Sequence, residues 1–226
     1  MTPVQLPLIL PQREAFGHED FLVASCNQEA VTWIDRWPDW PSHVLILYGP
    51  PGSGKTHLSH VWQKKSGARR LTHEDVAAFA ALDRDRPCIL EDVELFLQSG
   101  PGRQEQLLHL YNWLREQNNS LLLTAYRPPR HWPMTLADLS SRILSCVTAE
   151  ISAPDDRLLS ALIIKQFSDR QLAVSAEVLE YILPRMPRSF DAARQLVEKT
   201  DLLALSEKRR ITIPLVRKAL EGLRDC

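Results

Sequence analysis

The stretch GPPGSGKT, Gly49 to Thr56, has the residue types and spacing to hold a phosphate chain. It fits G-x-x-x-x-G-K-[ST] at every fixed position. Gly49, Gly52 and Gly54 permit backbone angles that side chains forbid, so loop amides can turn inward onto phosphate oxygens. Pro50, Pro51 and Ser53 complete the loop. Lys55 is placed to reach the β and γ phosphates, and Thr56 to offer its hydroxyl to Mg2+, with His57 following on the same turn. A magnesium-bound triphosphate also needs a carboxylate at the end of a neighbouring strand. PCILED supplies Glu91 and Asp92, which makes them the candidate metal and catalytic carboxylates. Such pairs mostly begin with an aspartate. The glutamate in first place carries an extra methylene, which is expected to shift the cation or to weaken activation of water.

This chemistry works only if a strand delivers the loop and a helix receives it, because the helix start adds its own free amides and positive dipole end. VLILY (44–48) directly precedes the loop and HLSHVWQKK (57–65) directly follows it. A glycine-rich turn matching by chance would have neither. Three further apolar runs read as buried strands: PCILED (87–92), SLLLTAY (120–126) and ILSCVTAEI (143–151). EQLLHLYNWLREQ (105–117) places Leu107, Leu108, Tyr111 and Leu114 on one helical face. Strand and helix alternate, which predicts an α/β fold with a mostly parallel sheet.

The pattern changes at Ala153–Pro154. Four helices are predicted beyond it: DDRLLSALIIKQF, with acidic residues at its start; SAEVLEYIL, capped by Ser175; SFDAARQLVEKTDLLAL; and PLVRKALEGL, with Pro214 in its first turn. The organisation expected is an extended tail over 1–18, a nucleotide-binding base domain over 19–152 and a small all-α lid over 153–226.

The composition sets bounds on this reading. A chain of 226 residues with 44% hydrophobic and 24% charged residues is globular and long enough for a sizeable core. A formal net charge of −1 supplies no global field for nucleic-acid phosphates. The four cysteines, Cys26, Cys88, Cys146 and Cys226, lie far apart, without zinc or redox spacing, and read as reduced thiols. No apolar run approaches the roughly 20 residues that a membrane span needs, and no signal segment is visible. A cytoplasmic protein without membrane contact is expected.

The motifs and their order resemble the AAA+ ATPases of the DnaA/Hda family. The resemblance rests on FLVASCNQEAV (21–31), the phosphate loop, ILEDVEL (89–95), LLLTAYRPPRHW (121–132), DLSSRI (138–143) and RRITIPLVRKAL (209–220), the last being more Hda-like than DnaA-like. It implies a parallel AAA+ sheet domain followed by a four-helix lid, with ADP or ATP and Mg2+ as cofactors. It implies that Phe21, Leu22, Val23 and Asn27 wrap the adenine, and that Arg142 is an arginine finger acting on a neighbouring subunit. Arg188 corresponds to the sensor arginine of the lid. The sensor position after LLLTA usually holds Asp or Asn; here it is Tyr126. With Glu91, that departure leads us to expect weak or absent intrinsic hydrolysis. DnaA continues into a DNA-reading helix-turn-helix domain, whereas this sequence ends at Cys226, so no sequence-specific DNA binding is expected.

The family also explains the chain start. QLPLIL is apolar, and Pro7 and Pro11 spoil both helix and central strand there. Hda-type proteins begin with a Gln-Leu-x-Leu peptide that docks on the DNA polymerase III sliding clamp (its β subunit). Gln5, Leu6, Pro7 and Leu8 fit that peptide, and Ile9 and Leu10 extend it. A proline-stiffened segment loses little entropy on docking. Two buried leucines give roughly 3–6 kcal/mol before entropy costs. The resemblance thus implies a clamp-tethered regulator, associated with the nucleoid, that stimulates hydrolysis of DnaA-bound ATP and prevents re-initiation. The alternatives are a DnaA-like loader or adaptor using its own ATP, a small-molecule P-loop kinase, and a clamp-binding scaffold with vestigial nucleotide binding. Away from the clamp, the tail is expected to insert into a second copy of the chain and give a homodimer. Replacing Gln5, Leu6 and Leu8 together with alanine should abolish capture by the clamp. Thermal stability should stay within about 0.5 kcal/mol. A melting curve beside the pull-down separates a docking peptide from core structure.

Overall fold

The computed structural model of the chain describes residues 23–81, 85–207 and 210–224. They fall into two compact units, one over Ser25–Ser152 and a helical one from Ala153 onward, which also takes in residues 23 and 24.

The first unit is a five-stranded sheet in the order β2-β3-β4-β1-β5. Its strands are β1 (Val44–Tyr48), β2 (Arg69–Arg70), β3 (Cys88–Leu90), β4 (Leu121–Ala125) and β5 (Val147–Glu150), and every pairing is parallel. β1 pairs with β4 on one side, with Ile46 opposite Leu123, and with β5 on the other. Its first four residues are fully buried, because a parallel sheet is covered on both faces and selects an unbroken apolar run.

Alternation along the strands divides that burial between two layers. Val44 and Ile46 join Leu90, Leu121 and Leu123 in a core with Phe96, Leu107, Leu110 and Leu114. The helices on that side are α3 (His73–Ala77), α4 (Val93–Gln98), α5 (Arg103–Glu116) and α6 (Ala137–Leu144). On the other side, α1 (Gln28–Arg36) lies against β5, and α2 (Lys55–Ser66) against β4. There Trp62 is fully buried and stacks on Trp40 at 5.3 Å between centroids.

Three features depart from the sequence expectation. The run 143–151 is not one strand: Ile143 is buried one turn beyond Leu139 on α6, and the chain closes that helix at Ser145 before β5 begins. Helical burial at i and i+4 takes precedence over the apolar run. The edge strand β2 consists of two arginines and carries no apolar signal. On α5 the buried face is Leu107, Leu110, Tyr111 and Leu114, with Leu108 only partly covered.

The helical unit holds α7 (Asp156–Asp169), α8 (Ala176–Ile182), α9 (Phe190–Glu207) and α10 (Ile213–Arg224). Asp155 caps α7 by accepting the Leu158 N–H at 2.8 Å. Ser175 stands at the start of α8 without a capping hydrogen bond from its side chain. α9 packs against α7 and α10, burying Ile163, Phe167, Leu196, Val197 and Val216. Among the described residues, no helix is long and apolar enough to cross a membrane.

Leu123 sits mid-strand on β4 and is fully buried. Leu123→Ala should lower unfolding free energy by about 2–5 kcal/mol, read from denaturant melts.

Candidate functional site

The carboxyl ends of the parallel strands converge on the phosphate loop, where open α/β sheets place their ligands. After β1 the chain turns through Gly49. Its N–H donates to the Ala125 carbonyl at 3.2 Å. A Cβ at this position would lie 2.0 Å from the Ile151 carbonyl oxygen, so only glycine fits. Gly52 and Gly54 take left-handed φ angles of 69° and 101°. Pro50, Pro51 and Thr56 are exposed and His57 is half-buried, whereas Ser53 is buried. The Ser53 hydroxyl has no hydrogen-bond partner. A buried polar group left unsatisfied costs about 1–3 kcal/mol, and a phosphate oxygen would be a fitting acceptor for it.

Lys55 is only 7% exposed. Its ammonium donates to the carbonyls of Gly49 and Pro50 at 2.7 and 2.9 Å, with the Tyr126 ring centroid 5.1 Å away. Burial pulls its pKa down, opposed in turn by the charges of Asp92, Glu94 and Glu91. A phosphate would give this ammonium a charged acceptor in place of neutral carbonyls.

Each of the three carboxylates has its own partners. Asp92 adopts a left-handed φ of 50° after β3, and its N–H donates to the Thr124 hydroxyl at 3.0 Å. Burial raises its pKa first and the nearby Glu91 charge adds to this. Lys55 and a hydrogen bond from Tyr126 oppose the rise. Glu91 forms an ion pair with Arg70 and accepts the Ser59 hydroxyl at 2.8 Å. Glu94, only 3% exposed, accepts the N–H groups of Tyr126 and Arg127 at 2.6 and 3.2 Å, and Arg127 Nε at 2.9 Å.

The loop fits a nucleotide phosphate chain through its glycines, the unsatisfied Ser53 and Lys55. Magnesium fits through Thr56 and Asp92. Glu91, expected beside them, has both carboxylate oxygens engaged by Arg70 and Ser59. No cluster of three His, Cys, Asp or Glu side chains suited to a metal occurs among the described residues. A divalent ion here would complete its shell with phosphate oxygens and water.

Arg142 lies on α6 with its side chain 30% exposed, and Asp138 one turn earlier holds its guanidinium in two bonds of 3.0 and 3.2 Å. That contact raises its pKa further. Asn27 is buried at the start of α1. Val23 is buried and goes with the helical unit. Arg188, also in the helical unit, pairs with Asp156 at 3.1 Å. Phe21, Leu22 and the tail residues Gln5, Leu6, Pro7, Leu8, Ile9 and Leu10 lie outside the described residues. Sequence reasoning missed Arg70, Ser59, Glu94 and Thr124. Glu94 could have been noticed as the third acid of EDVE, but Arg70 had no local signal.

Strand order, phosphate loop and following helix define the fold, a parallel P-loop sheet of the AAA+ kind. Domain III of DnaA from Thermotoga maritima superposes with a TM-score of 0.74 at 18% identity, covering 89% of this chain and 94% of that one. AMPPCP-bound DnaA from Aquifex aeolicus gives 0.69 at 20% identity, covering 91% and 68%. The model of the Hda lid domain matches residues 155–220. In sequence, DnaA from Helicobacter pylori is 24% identical over 93% of this chain and 51% of that protein. In its lid sequence, its overall sequence and its fold, the chain is similar to AAA+ proteins of the DnaA/Hda type. It spans about half the length of the curated DnaA proteins it matches, 51% and 48% in two of them.

Because folding raises the pKa of Asp92, the native state binds that proton more tightly than the unfolded chain. The penalty is absent below the ordinary carboxylate range and complete above the raised value. Asp92→Asn should therefore raise the melting temperature of the nucleotide-free protein at pH 7. The gain should disappear as pH falls below about 4. Equal melting at pH 7 would contradict this account.

Proposed function

We propose that this protein binds ADP or ATP and regulates initiation of chromosomal replication. Held on the sliding clamp by Gln5 to Leu10, it presents Arg142 to ATP bound by DnaA. The guanidinium stabilises charge developing on the transferred phosphoryl group. DnaA is left with ADP, and re-initiation is prevented. The observation that carries this reading is the contrast between Arg142 and the chain's own site. Arg142 is partly exposed and pre-oriented by Asp138, whereas Asp92 and Glu91 are engaged by Tyr126 and Arg70. Such a site favours retention of nucleotide over turnover.

Support for the nucleotide comes from the loop geometry and from the AMPPCP-bound DnaA that shares the fold. In the same reading Phe21, Leu22, Val23 and Asn27 hold the base, Arg188 reads the phosphate end, and the chain divides into a base domain over 19–152 and a lid over 153–226.

The test measures hydrolysis of DnaA-bound ATP with DNA-loaded clamp, with and without this protein. The parent should stimulate, and Arg142→Ala should not, while the variant keeps its ADP affinity and its capture by the clamp. Lys55→Ala should lose ADP affinity at least tenfold, about 1.4 kcal/mol. Full stimulation by Arg142→Ala places the finger elsewhere.

A further inference from the structure

The ion pair beside the loop has a consequence for how the nucleotide is held. Arg70 ends the edge strand β2 and reaches over β3 toward α2. Its guanidinium makes three contacts: the Glu91 carboxylate, the Ser59 hydroxyl at 2.9 Å and the Gln63 side-chain amide oxygen at 3.2 Å. Ser59 also contacts the Thr56 carbonyl at 2.9 Å, so Glu91 is linked through Ser59 to the residue that would bear the metal. Both members of the pair are half-buried, at 27% and 29% exposure, which weakens solvent screening of their interaction.

In a phosphate site of this kind, an ionised carboxylate close to the phosphates repels them unless a divalent cation stands between the two. That repulsion makes affinity depend on the cation. Here the guanidinium already neutralises Glu91. It is a fixed charge that cannot be deprotonated and is held by three partners on two elements.

We propose that Arg70 is a built-in counter-ion that replaces the divalent cation as the partner of Glu91, so that the loop holds a nucleoside diphosphate with little dependence on Mg2+. Asp92 has its own partners in Lys55 and Tyr126. The inference rests on the nucleotide-binding reading above and adds how charge in that site is balanced. It also accounts for an arginine in an edge strand too short to need one, since β2 contributes two ladder positions and no core residue.

The experiment is calorimetric titration of ADP into the full chain, in Mg2+ and in EDTA. The parent's affinity should change less than threefold between the two buffers. Arg70→Gln keeps a polar, unbranched side chain but removes the charge. It should bind at least tenfold more weakly in EDTA and regain most of the loss in Mg2+. Adding Glu91→Gln to it should remove that new dependence, and Arg70→Lys should behave as the parent. Melting curves of each variant establish that it is folded. A parent whose affinity falls tenfold or more in EDTA overturns the proposal without any variant. So does Arg70→Gln with the parent's cation profile. A parent that binds no ADP in either buffer overturns the nucleotide reading itself, a result distinct from both.

Discussion

Burial of the Lys55 ammonium constrains everything around the phosphate loop. A cation only 7% exposed at the end of a parallel sheet must find charge and hydrogen-bond acceptors inside the protein. It takes two from the loop's own carbonyls and is flanked by Asp92, Glu94 and Glu91. Those acids are themselves partly or wholly buried, so each needs a partner in turn. Glu91 has Arg70, Glu94 has Arg127 and the backbone after β4, and Asp92 has Tyr126 and Lys55. The site is thus balanced in charge without any ligand.

That balance ties the elements together. Thr124 on β4 accepts the Asp92 N–H after β3, and Glu94 on α4 holds the backbone that follows β4. The ends of β3 and β4 are therefore joined by polar bonds as well as by their ladder. Tyr126 is positioned by its backbone, through Glu94, so that its ring lies near Lys55. A tyrosine in place of a short polar side chain thus takes part in the charge network, shielding the lysine and engaging Asp92. Such an arrangement suits a site that keeps its nucleotide.

Much of this was legible in the residues alone. VLILY, the loop and the helix after it could be placed because each is a contiguous signal: an apolar run buried on both faces, glycines that permit inward-turned amides, and a helix start. The four helices after Ala153 were legible for the same reason. The failures were at places where a local signal was absent or ambiguous. Arg69–Arg70 is a strand without an apolar residue, paired only because β3 offers it a free edge. Ile143 belongs to an apolar run that reads as strand until α6 claims it for the core. Ser175 has the residue type of a cap but makes no capping hydrogen bond.

The sequence by itself determined which residues can touch a phosphate, because the geometry of GPPGSGKT is set by neighbours within a few residues. It also determined that a pair of acids would follow the run that became β3. Tertiary structure decided what those acids do. Arg70 lies 21 positions before Glu91 and meets it only because β2 and β3 are adjacent in the sheet. Glu94 meets Arg127 across 33 positions because β4 ends beside α4. Charge pairing over such separations depends on strand order, which no local pattern encodes. For that reason the phosphate loop could be read directly, and the counter-ions around it could not.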